Sequence, residues 1–246
     1  MKKAVAGVMW GLRKGRRLLY NSRKFVPGLA RQHRLEVMIG PLGVWKDLEA
    51  YQFRVLQEHG LKPEHRLLDI GCGPLQGGVA FIRYLQPNSY VGIDTSQRSL
   101  DAAFGQIEHH RLAAKNPRLL CSTSFGDAEL GPDQFDYFWA SQILYYFDEA
   151  LMTRLFQFLA KRMRPRGMFL GDIIGASHPD FHRPSQSDQL WDLILHRVET
   201  LRQWAAPHGL RVHDQGEIRR FGYPKRLRLG SNTLLKITRS ADAQAT

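Results

Sequence analysis

The chain predicts an α/β fold: a seven-stranded, mostly parallel sheet with helices on both faces and a C-terminal antiparallel hairpin. Three observations carry this expectation. From residue 66 onward short apolar runs alternate with helical patterns, the rhythm of units whose parallel strands are covered on both sides. The first apolar run opens into a glycine turn, Gly71-Cys72-Gly73-Pro74, of the kind found at the carboxyl edge of an open sheet. The last two strand patterns have no helical pattern between them, which leaves them to pair with each other. At 246 residues and 43% hydrophobic content, the chain can bury one large core.

Residues 1–35 carry ten Lys or Arg and no acid, since Glu36 is the first carboxylate; the other 25 basic residues face 23 acids. The body is therefore nearly neutral and the +12 net charge comes mostly from one end. Val5, Val8, Met9, Leu12 and Leu19 fall at loosely helical spacing, as in an interfacial helix drawn to anionic lipid or another acidic surface. Gly7, Gly11 and Gly15 weaken such a helix, and a solvated arm is the competing reading. The expected organisation is a basic arm over 1–35, the α/β domain over 36–240 and a disordered tail over 241–246.

Within the domain, Trp45, Leu48, Tyr51, Val55 and Leu56 recur at helical spacing up to Gly60, a C-cap, ahead of Lys62-Pro63. Strands are expected over 66–70, 90–93, 119–122, 135–140 and 167–174. Helices are expected over 77–85, 96–110 and 149–163, the last ended by Arg164-Pro165-Arg166-Gly167. A long helix over 188–205 buries Leu190, Trp191, Ile194, Leu195, Val198, Leu201 and Trp204. Strands over 210–212 and 233–238 complete the hairpin.

Several classes fall away. The only cysteines, Cys72 and Cys121, sit in apolar runs, so no disulfide framework is expected and a reducing compartment suits the chain. No run approaches the roughly 18–20 apolar residues of a bilayer span. The apolar stretch 4–12 runs into Arg13, Lys14, Arg16 and Arg17 without a small-residue cleavage site, unlike a signal peptide. The expected location is cytoplasmic, with peripheral membrane contact through residues 1–26 as a further expectation. A nearly neutral body does not suggest a nucleic-acid partner.

The glycine turn selects its ligand by detail. A dinucleotide fingerprint wants a third glycine where Gln76 stands, and no Gly-Lys-Ser/Thr tripeptide makes a P-loop. Two residues before Gly71 stands Asp69, a poor neighbour for phosphate oxygens and a good one for an ammonium group. The second strand ends at Asp94, 21 residues beyond Gly73, where a carboxylate can accept both hydroxyls of a ribose. Helix capping is the alternative for Asp94, although Thr95 or Ser96 could serve instead.

Together, Asp69-Ile-Gly-Cys-Gly, Gly92-Ile-Asp94, and Gly126-Asp127-Ala128 before Phe135-Asp136 resemble class I S-adenosylmethionine-dependent methyltransferases, whose sheet is Rossmann-like. The resemblance spans roughly residues 45–240. Tyr51-Gln52-Phe53, Gly60-Leu61-Lys62-Pro63 and Gly77-Gly78 further resemble a group of small bacterial methyltransferases. The resemblance implies S-adenosyl-L-methionine as cofactor. It implies that Asp69, Gly71 and Gly73, with Cys72 between, line its methionine end. Asp94, with Thr95 beside it, holds the ribose. Asp127 meets the adenine amino group and Ala128 supplies a backbone donor. Ala140, Ser141 and Gln142 face the transferred methyl; a plain turn is the alternative for Asp127.

Methyl transfer from a sulfonium needs alignment and exclusion of water, and a hydroxyl acceptor also needs a base. His178 and His182 are candidate bases, with Asp172 and Asp180 near them in sequence and a plain loop as the alternative; no metal is expected. Tyr145 and Tyr146 stand where many relatives carry a histidine. Tyr145 is a candidate catalytic group and Tyr146 a candidate acceptor contact, with rim or core packing as the alternative. Arg219, Arg220, Lys225, Arg226 and Arg228, with Phe221 and Tyr223 interleaved, suggest an acidic acceptor, Arg219 and Arg220 foremost; a solvated hairpin or dimer contact is equally consistent. The expected function is methyl transfer to a small-molecule or saccharide acceptor, O-methylation favoured. The alternatives are an RNA (ribose or base) methyltransferase and a non-catalytic S-adenosylmethionine-binding or membrane-docking protein. The segment after the fourth strand lacks both a Pro-Pro-aromatic motif and a catalytic cysteine, which disfavours base methylation.

Overall fold

The computed structural model describes residues 27–40, 42–175 and 193–240. The chain divides into two compact units, Met1–Lys46 and Asp47–Thr246. In the first, Pro27 opens helix α1 (Pro27–Ile39), where a missing N–H costs nothing. Glu36 then accepts from the Gln32 side chain at 2.9 Å and from Gly43 N at 3.0 Å. The arm-to-domain boundary expected at residue 35 falls inside α1. The expected helix over residues 1–26 and the tail over 241–246 lie outside the described residues.

Helix α2 (Trp45–Glu58) begins at the unit boundary and ends at Gly60, whose φ of +87° turns the chain toward the sheet. The sheet of the second unit runs β3-β2-β1-β4-β5-β7-β6. Its strands are β1 (Leu67–Ile70), β2 (Tyr90–Asp94), β3 (Arg118–Cys121), β4 (Phe135–Ala140), β5 (Met163–Ile173), β6 (Leu210–Glu217) and β7 (Thr233–Arg239). The first five are parallel, and β7 runs antiparallel between β5 and β6. Strand β6 therefore points the same way as β1 to β5, and the β6–β7 connection leaves from the edge where the parallel strands end. Strand order reverses between β1 and β4, the switch point where open α/β sheets bind ligands.

Helices α3 (Gly78–Tyr84), α4 (Gln97–His109), α5 (Glu149–Arg162) and α6 (Val198–Ala205) connect the strands. Asp148 caps α5 by accepting from Leu151 N at 2.8 Å, and Ser96 caps α4 through Ser99 N at 3.3 Å. All four residues of β1 are buried, as a strand covered on both faces requires. Leu68, Phe138, Phe156, Phe169 and Leu159 sit at 0% exposure in one continuous core, each contributing about 1.5–3 kcal/mol of burial. Trp139, also fully buried, donates its indole N–H to Gln52 of α2 at 3.0 Å, which satisfies its one polar atom.

Three expectations are corrected. Helix α5 ends at Arg162, beside the expected stop, but β5 begins at Met163 rather than at 167, since Met163 already pairs with Phe135 and regular register resumes at Met168 opposite Tyr137. Arg166, at φ +67°, makes the turn. The long helix expected over 188–205 is seen only as α6, and 188–192 lie outside the described residues. Residues 193–197 are not helical, because Ile194 N donates to Tyr145 O at 2.8 Å and His196 N to Ile174 O at 2.9 Å. Those amides are spent on other segments and cannot close helical turns. Strand β6 continues to Glu217 past the expected 212, through an irregularity where Gly216 sits at φ +85°.

Candidate active site

The glycine turn follows β1 directly. Gly71 N and Cys72 N both donate to Ile93 O, at 2.8 and 3.0 Å, so the turn is pinned to the end of β2. Gly71 has φ +73°, and a Cβ there would stand 2.9 Å from Ile143. Conformation and space thus both demand glycine. Gly73 N then donates to Asp94 Oδ2 at 2.9 Å, while Asp94 Oδ1 accepts from Ser96 N at 2.8 Å. One carboxylate therefore ties the turn to the start of α4. Ser96, not Asp94, is the helix cap.

A cavity of about 300 Å³ lies against this turn, at the small end of ordinary ligand pockets. Gly71, Asp94 and Thr95 bound it on one side, and Ser122 and Thr123 enter from the end of β3. Phe125, Ile143 and Phe147 supply an apolar wall. Each carboxylate oxygen of Asp94 has one bond to the backbone and one further acceptor position. That suits a diol, and the apolar wall suits a flat ring.

Asp69 is 4% exposed and accepts from the Tyr90 hydroxyl at 2.7 Å. Burial pushes its carboxyl up to about 7; the Tyr90 hydrogen bond opposes the rise and the nearby Asp94 charge adds to it. A cationic ligand group beside it would restore the charged form. Cys72 is buried, its sulfur lying where a Cβ on Gly92 would come within 2.9 Å. Burial pushes its thiol up, so the sulfur is packing rather than a nucleophile.

Asp127 and Ala128 are not brought to the cavity. The Asp127 carboxylate pairs with Lys161 Nζ at 2.7 Å and with the nearly buried guanidinium of Arg162. The hydrogen bond from Lys161 leads the effects that hold its pKa below the usual carboxylate range. Arg162 also donates to Asp127 O at 2.7 Å, so this acid staples the loop after β3 to the end of α5. Ala128 is an exposed turn residue. Ser122, Thr123 and Phe125 occupy the cavity edge instead. Ser122 Oγ accepts from Gly126 N at 3.0 Å and Ser124 N at 3.1 Å, a local Ser turn that a Ser-Thr-Ser run could have signalled.

After β4, Ala140 is fully buried and Ser141 half-buried, and neither bounds the cavity. Gln142 has φ +61° and is held by an acid distant from it in the chain. Asp172, at 0% exposure, accepts from Gln142 N at 2.8 Å, Gln142 Nε2 at 2.6 Å and Asn232 Nδ2 at 2.7 Å. Burial raises its carboxyl to about 6 against those bonds. Ile143, the next residue, turns into the cavity.

Tyr146 reaches the cavity and is 45% exposed, in keeping with a contact residue. Tyr145 is 5% exposed, and burial, then the Asp172 charge, pushes its hydroxyl far above the usual range. That direction disfavours a phenolate base at Tyr145, which packs against the Tyr146 ring at 4.7 Å between centroids. His178 and His182, with Asp180, lie outside the described residues. Arg219 and Arg220 bound neither this cavity nor the second one described below. The Arg219 guanidinium lies against Gly230 of their own connection and that of Arg220 against Gly216 near the end of β6. The Arg228 side chain is not described. Among the described residues no helix is long and apolar enough to cross a membrane.

Known proteins share this fold. Residues 68–169 match the family described as a methyltransferase domain. The magnesium protoporphyrin IX methyltransferase of Synechocystis PCC 6803, solved with bound S-adenosylmethionine, superposes with a TM-score of 0.60 at 14% identity, over 91% of this chain and 96% of that one. An S-adenosylmethionine-dependent methyltransferase from Clostridium acetobutylicum ATCC 824 gives 0.60 at 14% identity, over 80% and 92%. An O-methyltransferase family protein from Burkholderia thailandensis gives 0.59 at 18% identity, over 89% of this chain and 62% of that one. At such identities the likeness is one of fold. No curated protein sequence matches the chain.

Proposed function

We propose, from the premise that this chain carries a methyltransferase domain over residues 68–169 and has the class I S-adenosylmethionine-dependent methyltransferase fold, that it methylates a small-molecule acceptor, at oxygen in preference to nitrogen or carbon. The single observation that carries the cofactor reading is Asp94. Its carboxylate borders the cavity at the tip of β2 while bonded to the glycine turn at 2.9 Å, a charge held in place before any ligand arrives.

S-adenosylmethionine supplies an activated methyl on a sulfonium. The chain's own work is to grip and orient. Asp94 accepts the ribose hydroxyls, with Thr95 beside it. Asp69 offers a buried negative partner to the amino acid end. Phe125, Ile143 and Phe147 cover the adenine and keep water out. Ser122 and Thr123 supply polar contacts at its rim, the role first expected of Asp127 and Ala128. The segment Ser141-Gln142-Ile143, clamped by Asp172, sets the edge along which the acceptor approaches, with Tyr146 as a contact. His178 or His182 belongs to the same proposal as the base that takes the acceptor's proton.

Incubation with methyl-labelled S-adenosylmethionine and fractionated extract tests the reading. The label is expected in a small-molecule or saccharide fraction. Label confined to RNA, or none in any fraction while cofactor is bound, would overturn it in favour of the nucleic-acid or the non-catalytic alternative.

A further inference from the structure

A second cavity, of about 440 Å³, opens between α2 and the β6–β7 connection. Asp47, Ala50, Tyr51 and Arg54 line one side, a spacing that presents a single helix face. Gly222, Pro224, Lys225 and Arg226 line the other. Three cations thus face one acid, and that acid is engaged, since Asp47 pairs with Arg226. Arg54 is also held. Gly222 sits at φ +88°, and a Cβ there would overlap the Arg54 guanidinium, so the glycine is what lets that group lie against the backbone. The cavity therefore holds a net positive charge on positioned guanidiniums, with Lys225 exposed at its edge.

The wall of this cavity leads to the methyl-transfer edge. Tyr51 is 1% exposed and meets the Tyr223 ring edge-on at 5.1 Å between centroids. Tyr223 bonds through its hydroxyl to Gln142 at 3.3 Å, and Gln142 precedes Ile143 of the first cavity. The Tyr51 hydroxyl, buried at this wall, has no hydrogen-bond partner among the described residues. A chain of contacts, Tyr51 to Tyr223 to Gln142, thus links the lining of one cavity to the segment that borders the other.

We propose that this second cavity anchors the methyl acceptor by a carboxylate or phosphate group, which Arg54 and Arg226 grip and Lys225 helps attract. The inference rests on the methyl-transfer reading. Planar guanidiniums match the paired oxygens of either group, and a concave cationic site raises the local concentration of anions. The acceptor's body then extends past Tyr51 and Tyr223 toward Ser141-Gln142-Ile143.

Calorimetric titration of the full chain at constant ionic strength tests this with two probes, inorganic phosphate and benzoate. Wild type is compared with R54Q/K225Q and with R219Q/R220Q, which removes the same charge nearby. Saturable binding of at least one probe is expected in wild type and in R219Q/R220Q, weakened about tenfold or more in R54Q/K225Q. Phosphate alone indicates a phosphorylated acceptor, and benzoate alone a carboxylic one. No saturable binding, or equal loss in both double variants, would overturn the site. S-adenosylhomocysteine affinity, unchanged in all three proteins, reports that they are folded. Failure of wild type to bind that nucleoside while it still binds phosphate would sink the methyl-transfer reading and leave an oxyanion site standing.

Discussion

At the scale of single residues, the acids of the site differ by environment, and each difference is measurable. Asp94 keeps backbone partners on both oxygens, whereas Asp69 is buried, accepts from the Tyr90 hydroxyl and feels the nearby Asp94 charge. With its carboxyl raised to about 7 from 3.8, Asp69 holds a proton in the folded chain that the unfolded chain releases near pH 4. Its contribution to stability therefore falls as pH rises from about 4 to 7 and is flat above that. In the proposed function Asp69 faces the ammonium of the nucleoside, which favours the charged form, so affinity for S-adenosylhomocysteine should rise between pH 6 and 8. Calorimetry across that range checks this, and D69N should flatten the dependence. Gly71→Ala must adopt φ +73° and displace Ile143. It should lose about 1–2 kcal/mol of stability and most of its cofactor affinity, seen in thermal melts and titration. Gly71 and Asp94, which bound the cavity, were legible in the sequence because strand, turn and strand lie close together in the chain, whereas Asp69 is buried and does not line it. Asp172 had no role before the fold was known, since its partners Gln142 and Asn232 lie 30 and 60 residues away.

At the scale of elements, β1, β2 and β4 read correctly because each is a short apolar run between turn signals, and parallel burial leaves few polar positions to mislead, whereas β5 and β6 extend through polar residues that carry no such signal. The helix expected over 188–205 failed where apolar spacing continued but the backbone amides of Ile194 and His196 had partners elsewhere. Periodicity does not see such partners. Asp127 failed for a related reason: its counter-ion Arg162 stands 35 residues on, at the end of α5. Asp127→Ala should therefore act on stability. Leaving Arg162 without its carboxylate costs about 1–3 kcal/mol, below the usual figure for a buried pair, because the Asp127 side chain is 38% exposed and Arg162 keeps its carbonyl partners. Denaturant melts should show that loss with S-adenosylhomocysteine affinity within about threefold of wild type. A large affinity loss at unchanged stability would return Asp127 to the adenine.

At the scale of the molecule, a nearly neutral body is joined to a strongly basic first 35 residues. The proposed methyl transfer assigns the two cavities of the body to small molecules. The arm carries the charge that would meet an anionic surface. Full-length chain should sediment with vesicles containing phosphatidylserine at low salt and be released as salt rises. A chain lacking residues 1–26 should stay in solution and retain its nucleoside affinity. Equal sedimentation of both forms would remove the arm from that role.

Calorimetry with S-adenosylhomocysteine and NAD on wild type and Asp94→Ala asks whether a carboxylate fixed between a glycine turn and a helix start receives the sugar of a sulfur nucleoside. Saturable binding of S-adenosylhomocysteine to wild type, none of NAD, and a loss of about 30-fold or more in the variant are expected, the worth of one to two charge-assisted hydrogen bonds. Binding of NAD in its place, or full affinity without the Asp94 carboxylate, would contradict that role.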